Sequence, residues 1–276
     1  MPLSHLVHDR AGSGEPLVLI HGIGHRRAAW APVFTELATR YDVIAVDLAG
    51  FGESASYPAD QIYDMDNACR DLAANFEKWG IEQPHVVGNS LGGAIALELA
   101  ARGLASSATV LSPAGFFGRV SRFRALVPLF VMWVASHAPD RVLRAVSLSR
   151  TGRRLIGLPL YGHPERAEAD PTYGDCLAMK RAQGFLPAAI AGISYVFDEP
   201  ISVPTTIAWG THDRLLPYSQ AKTAHERLPE ARHVALLGCG HVPMMDDPET
   251  IVGLIDETVA RTRGEGVAEG AADGVA

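Results

Sequence analysis

Residues 85–99, His-Val-Val-Gly-Asn-Ser-Leu-Gly-Gly-Ala-Ile-Ala-Leu-Glu-Leu, constrain the fold more than any other part of the chain. β-Branched residues end at Gly88, and an Ala/Leu-rich run suited to a helix begins after Gly92, so strand passes to helix through a very short turn. Ser90 sits at its tip. Such a turn holds the serine backbone in a strained conformation, and the residues two before and two after it must be small for strand and helix to approach; Gly88 and Gly92 meet that demand. The helix starts directly beneath the serine, with the Leu91 N–H free at its N-terminus, where negative charge is favoured. The alternative is a glycine-rich turn around a buried serine; the flanking strand and helix favour the G-x-S-x-G nucleophile elbow.

The neighbouring segments predict an α/β fold, a doubly wound and mostly parallel sheet with an inserted helical lid. Residues 17–20 and 41–47 are too apolar for half-exposed strands and suit strands buried on both faces. An edge strand is expected over 3–8, a turn at Gly12-Ser13-Gly14-Glu15, helices over 30–40 and 64–79, and a strand over 108–111. The two buried strands run into glycine-bearing loops, His21-Gly22-Ile23-Gly24 and residues 48–54, the first of which can aim the Ile23 N–H into a site above the sheet. Ligands of such sheets sit at the carboxyl ends of the strands.

From 114 to 200 the pattern turns mainly helical, and alternation resumes at 203–209, followed by a strand over 232–237 and a helix from the Asp247-Pro248 cap to about 261. The organisation expected is a core of 1–112 and 201–262, a helical lid of 113–200, and a disordered acidic tail of 263–276. Within 119–154 stand eight arginines and one acid, Asp140, around the apolar run Leu126-Val127-Pro128-Leu129-Phe130-Val131-Met132-Trp133-Val134. One reading is a lid helix packed on the core with a solvated arginine face. The other is an apolar, cationic surface that contacts lipid or an acyl chain.

At 276 residues the chain can bury a large core without staples. Its net charge of −7 argues against a nucleic-acid partner. Cys69, Cys176 and Cys239 are widely spaced, form no C-x-x-C pair and suit neither a disulfide framework nor a zinc site. The first ten residues lack the apolar core of a signal peptide, and no apolar run is long enough to span a bilayer. A cytoplasmic protein needing no cofactor or metal is the expectation.

Ser90, Asp213 and His241 all fall in loops at carboxyl ends of strands. A serine hydroxyl is almost un-ionised at neutral pH and needs a base during attack, which His241 can supply. The imidazolium then needs a nearby anion that also sets its tautomer, the task assigned to Asp213. The loop after Leu111 offers no competing carboxylate, and His212, adjacent to the acid, is read as a supporting or lid-facing residue. Cys239 is read as packing beside His241.

With these pieces the chain resembles the α/β-hydrolase fold family. The matching residues are His21-Gly22-Ile23-Gly24, residues 47–54, Gly88-Asn89-Ser90-Leu91-Gly92-Gly93, Gly210-Thr211-His212-Asp213 and Gly240-His241; only the lid and tail lie outside. The resemblance implies an oxyanion hole from the Ile23 and Leu91 N–H groups, supported by His21, Gly22, Gly24 and Asn89, with an acyl group carried on Ser90 and released by water. Haloalkane dehalogenases and epoxide hydrolases place aspartate where Ser90 stands. Carbon–carbon hydrolases of ring-cleavage products share the Gly-Asn-Ser pattern but usually carry tryptophan soon after the histidine, where this chain has Val242-Pro243-Met244-Met245. Perhydrolases share the triad with smaller lids. An esterase or lipase-like enzyme acting on a small apolar ester or acyl substrate is the leading implication. Carbon–carbon hydrolysis is the alternative within the family, and a small-molecule receptor with little turnover the alternative outside it.

Overall fold

The computed structural model describes residues 2–118 and 121–264, with side chains omitted over 121–125. In chain order the elements are β1 (His8–Gly12), β2 (Pro16–Ile20), α1 (Ala31–Leu37), β3 (Asp42–Val46), α2 (Met65–Trp79), β4 (His85–Asn89), α3 (Leu91–Ala101) and β5 (Ser107–Leu111). Then come α4 (Ser121–Ser136), α5 (Asp140–Leu148), α6 (Arg150–Gly157), α7 (Ala169–Arg181) and α8 (Phe185–Gly192). The chain closes with β6 (Thr205–Gly210), α9 (Ser219–Arg227), β7 (Arg232–Leu236), α10 (Pro243–Asp246) and α11 (Pro248–Thr262). The sheet order is β1-β3-β2-β4-β5-β6-β7, with β1 antiparallel to β3 and every other pair parallel.

Strand side chains alternate between two cores, as a pleat of period two requires. Val18, Ile20, Ile44, Val46 and Val86 face α2, α3 and α9, among them Phe76, Ile95 and Leu97. Leu17, Leu19, Val43, Ala45 and Val87 face α1 and α11, against Trp30, Leu37, Ile251 and Ile255. Both faces are covered, so the strands read as unbroken apolar runs.

The strand expected over 3–8 begins instead at His8. The backbone before it is hydrogen-bonded mainly by side chains: Ser4 N–H donates to Asp71 Oδ1 (2.9 Å), Asn75 Nδ2 to Ser4 O (3.1 Å), and Val7 N–H to Ser54 Oγ (2.8 Å), with one backbone bond from Asp47 N–H to Val7 O (2.8 Å). The helix expected over 30–40 is the shorter α1, preceded by a 3-10 turn at Arg27–Trp30. Of the helix expected over 64–79, Asp64 and Gly80 are the caps, the aspartate accepting from Asn67 N–H (2.8 Å) and the glycine in the left-handed conformation. Among the described residues of 114–200 there are helices and turns and no strand. The tail expected from 263 lies outside the described residues apart from Arg263 and Gly264.

Strand order reverses between β2 and β4, which carry the chain to opposite sides of the sheet. The register pairs Ile20 with Gly88, so the loop after β2 and the turn after β4 open side by side at this switch point.

Candidate active site

Ser90 has φ +56° and ψ −114°, a sparsely populated conformation that costs on the order of 1–3 kcal/mol and persists only where its surroundings over-determine it. Here they do. Ser90 N–H donates to Leu111 O (3.0 Å), while Ser90 O accepts from Ala94 and Ala114 N–H (3.0 Å each). A Cβ on Gly88 would lie 2.1 Å from Gly92 O, and one on Gly92 would lie 2.1 Å from Ile20 O. β2, β4 and α3 therefore meet at backbone contact, which only glycine permits. As first residue of α3, Leu91 has no carbonyl a turn earlier within the helix to take its N–H.

Asp213 and His241 come from the loops after β6 and β7. His241 Nδ1 stands 2.8 Å from Asp213 Oδ2, both side chains being buried. Asp213 Oδ1 accepts from Leu215 N–H (2.9 Å) and Leu216 N–H (2.7 Å), so three donors hold the carboxylate and fix its plane. A carboxylate accepts, hence Nδ1 of a neutral His241 carries the proton and Nε2 is the acceptor. Asn89 Nδ2 donates to His241 O (2.8 Å) and Leu111 O (3.0 Å), tying the serine turn to the histidine loop. No hydrogen bond joins Ser90 to His241 among the described residues; both line one cavity, and such contacts are commonly long before substrate binds.

The Gly22-Ile23 loop is set by His21. Its Nε2 accepts from Leu48 N–H (3.0 Å), an N–H that can only donate, so Nδ1 bears the proton and donates to Gly22 O (2.7 Å). Burial pushes the His21 pKa down to about 4, which keeps this neutral tautomer through the neutral range. Gly22 leans on the serine: a Cβ there would sit 3.2 Å from Ser90 Cβ. Buried Asp47 then joins this loop to the one after β3, accepting from Arg27 N–H (2.6 Å) and Glu53 N–H (2.9 Å) and pairing with the Arg27 guanidinium.

Asp246 carries a role that no local sequence pattern announced. Buried beside the histidine loop, its Oδ2 accepts from Gly240 N–H and Gly162 N–H (2.8 Å each) and its Oδ1 from His163 N–H (2.9 Å). One carboxylate thus fastens the segment between α6 and α7 to the loop bearing His241. Arg214, next to Asp213, donates to Leu158 O (2.9 Å) and Tyr161 O (3.2 Å) of the same segment. His212 is exposed and absent from the cavity wall; it holds the loop through its N–H to Cys239 O (2.9 Å). Cys239 is buried, its thiol pushed up to about 12 by that burial, so it packs as an inert thiol.

Gly22, Ile23, Gly24, Asn89, Ser90 and His241 line a cavity of about 520 Å³. Its far wall comes from the helical segment, with Leu129, Met132, Leu143, Ile156, Leu160 and Met179. Polar side chains on that wall are turned to protein partners: Ser136 Oγ to Trp133 O (2.7 Å), Thr172 Oγ1 to Glu168 O (2.6 Å), and Asp175 to Arg26 Nε (3.1 Å). The cavity therefore presents Ser90 and the His241 imidazole at one end and a mostly apolar lining over the rest.

Comparison with known proteins agrees with the fold. The family model described as the alpha/beta hydrolase family matches residues 17–254. An uncharacterized protein of Mycobacterium tuberculosis is 31% identical over 271 residues, covering 91% of this chain and 77% of that one. The pimeloyl-[acyl-carrier protein] methyl ester esterase of Aeromonas hydrophila is 29% identical over 261 residues, covering 91% of this chain and 98% of its own. Among solved structures, an esterase from Thermogutta terrifontis superposes with a TM-score of 0.71 at 22% identity, covering 94% of each chain.

Proposed function

The chain belongs to the alpha/beta hydrolase family, and on that premise we propose that it hydrolyses carboxylic esters through an acyl-enzyme on Ser90. The observation that carries the reading is the cavity itself, with Ser90 and the Asp213-held His241 at one end and apolar walls elsewhere. The similarity to a methyl ester esterase is consistent with it.

In this mechanism His241 Nε2 takes the Ser90 proton as Oγ attacks the ester carbonyl, and Asp213 stabilises the imidazolium that forms. The Ile23 and Leu91 N–H groups receive the tetrahedral oxyanion, each worth on the order of 3 kcal/mol of transition-state stabilisation. His241 then protonates the departing alkoxide as the C–O bond breaks, leaving the acyl group on Ser90. Water, deprotonated by His241, attacks that acyl carbon, and Ser90 recovers its proton as the acid leaves. A cavity of about 520 Å³ lies within the ordinary range of small-molecule sites, roughly 300–1,000 Å³.

The deciding test is hydrolysis of p-nitrophenyl esters of increasing acyl length by the wild-type chain and by Ser90→Ala, with a ring-cleavage dienoate alongside. Ser90-dependent ester turnover supports the proposal, and the best chain length sizes the cavity. Slow ester turnover with fast dienoate cleavage moves the reaction to carbon–carbon hydrolysis. Silence on both, with thermal stabilisation by a bound ester analogue, replaces the enzyme by a receptor.

A further inference from the structure

Helix α4 is apolar on two faces and has a partner for one. Leu129, Met132, Trp133 and Ser136 repeat at helical spacing and turn inward; Leu129, Met132 and Ser136 line the cavity, and Trp133 stacks on Phe185 of α8 with ring centroids 5.7 Å apart. Val127, Phe130, Val131 and Val134 form a second stripe at the same spacing and are 51–62% exposed. The stripe does not stand alone. Apart from Ile62 and Leu237, every large exposed apolar side chain of the described residues lies between 127 and 196. Val127, Val131, Val142, Val146 and Leu155 are both exposed and part of the cavity lining, so the apolar wall runs without a break to the outer surface.

Along α4–α6 the charges are mostly of one sign. From 126 to 158 the chain carries Arg141, Arg144, Arg150, Arg153 and Arg154 against a single acid, Asp140. Lys180 Nζ pairs with Asp140 at 2.7 Å, and Arg153 is turned inward onto Ala167 O and Ser147 O. Arg141, Arg144, Arg150 and Arg154 stay exposed. On a chain of net charge −7 this is a local inversion. An isologous pair of copies would set these arginines against themselves, whereas an anionic lipid surface satisfies hydrocarbon and guanidinium together. No described helix is long and apolar enough to cross a membrane, and α4 is shorter than the roughly 20 residues a span needs.

We infer that the outer face of α4–α6 docks on anionic lipid bilayers, with the cavity mouth against the lipid so that acyl substrates enter from the membrane. The entry of substrate rests on the esterase reading above; the docking does not. Partition is measured by cosedimentation with phosphatidylcholine vesicles with and without phosphatidylglycerol, using the wild-type chain and Ser90→Ala. Phe130 and Val134 are outside the cavity wall, so Phe130→Asp/Val134→Asp tests the apolar stripe, and Arg141→Glu/Arg150→Glu the rim. The expected result is sedimentation with phosphatidylglycerol vesicles for both wild type and Ser90→Ala. Partition should fall about tenfold in each double variant, with melting and p-nitrophenyl acetate hydrolysis kept. Wild-type protein remaining in the supernatant overturns the inference, as does partition unaltered by Phe130→Asp/Val134→Asp. A wild-type dimer that the same substitutions dissociate assigns the face to a second copy and overturns it too. If p-nitrophenyl acetate is not hydrolysed while vesicles still bind, the esterase reading fails and the docking stands.

Discussion

The turn at Ser90 and the helical segment from α4 to α8 face each other across one cavity and are built in opposite ways. At the turn, backbone meets backbone: Gly88, Gly92 and Ile20 are in contact, and nearly every residue of α3 is buried. The helical segment is apolar inside and out, and side chains such as Asp246 and Arg214 fasten it to the core. On the proposed esterase reading, groups that must hold sub-ångström geometry sit on the first, and the walls that meet the variable part of a ligand come from the second. Fixed chemistry and adaptable shape are thereby divided between them.

The largest effect that should separate the two regions comes from Ser90→Ala. Ester turnover should fall by roughly 10⁴-fold or more while urea melting is little changed, because the substitution removes only the hydroxyl. Stopped turnover with an intact melt places the loss in chemistry; a collapsed melt would make the serine a structural requirement of the turn.

Two glycines in helices sharpen the contrast in stability. Gly92→Ala drives a Cβ to 2.1 Å from Ile20 O and should cost about 3 kcal/mol, because both partners are backbone and neither can yield. Gly253 lies within α11 with no atom inside 4 Å of its would-be Cβ, so Gly253→Ala should stabilise by about 0.5–1 kcal/mol. Urea midpoints decide the pair, and equal shifts would show that the turn has slack.

Adjacent aspartates test how the helical segment is fastened. Asp246→Ala strands the N–H groups of Gly162, His163 and Gly240 and should cost about 3 kcal/mol, with a drop in kcat as the His241 loop loosens. Asp247 only caps α11 through Thr250, so Asp247→Ala should cost about 1 kcal/mol and leave kcat alone. If both variants keep wild-type kcat, Asp246 anchors the fold without positioning the site.

How far this arrangement was legible in the sequence differs between the same two regions. The strands bearing Ser90 and the Gly22-Ile23 loop are local: an apolar run, then glycine, is enough to see them. Asp213 and His241 were legible for the same reason, each lying just past such a run. Asp246 was not, because two of its three donors lie more than 80 residues upstream and it stands beside a residue that reads as an ordinary helix cap. The first strand was misplaced because Asp71, Asn75 and Ser54 hydrogen-bond the backbone of 4–7, partners that no periodicity reveals. The inner and outer stripes of α4 are both largely apolar at helical spacing, so which one faced the core depended on tertiary packing.

A further effect concerns acid. With its pKa pushed down to about 4 by burial, His21 stays neutral in the native chain at pH values where the unfolded chain, near 6.5, has taken up a proton. Unfolding therefore binds a proton between these values, and stability falls as pH drops through 6.5 toward 4; above 6.5 the site imposes no cost. From pH 7 to pH 5 the loss from this one group should be about 2 kcal/mol. His85 and His233 are also shifted down by burial and add to the wild-type slope. His21→Gln isolates the first contribution, since glutamine takes no proton while keeping a donor and an acceptor. Its urea midpoint should fall less than that of wild type between pH 7 and pH 5. Parallel decline would mean that protonated His21 is accommodated, and the Gly22-Ile23 loop would then be softer than the turn it faces.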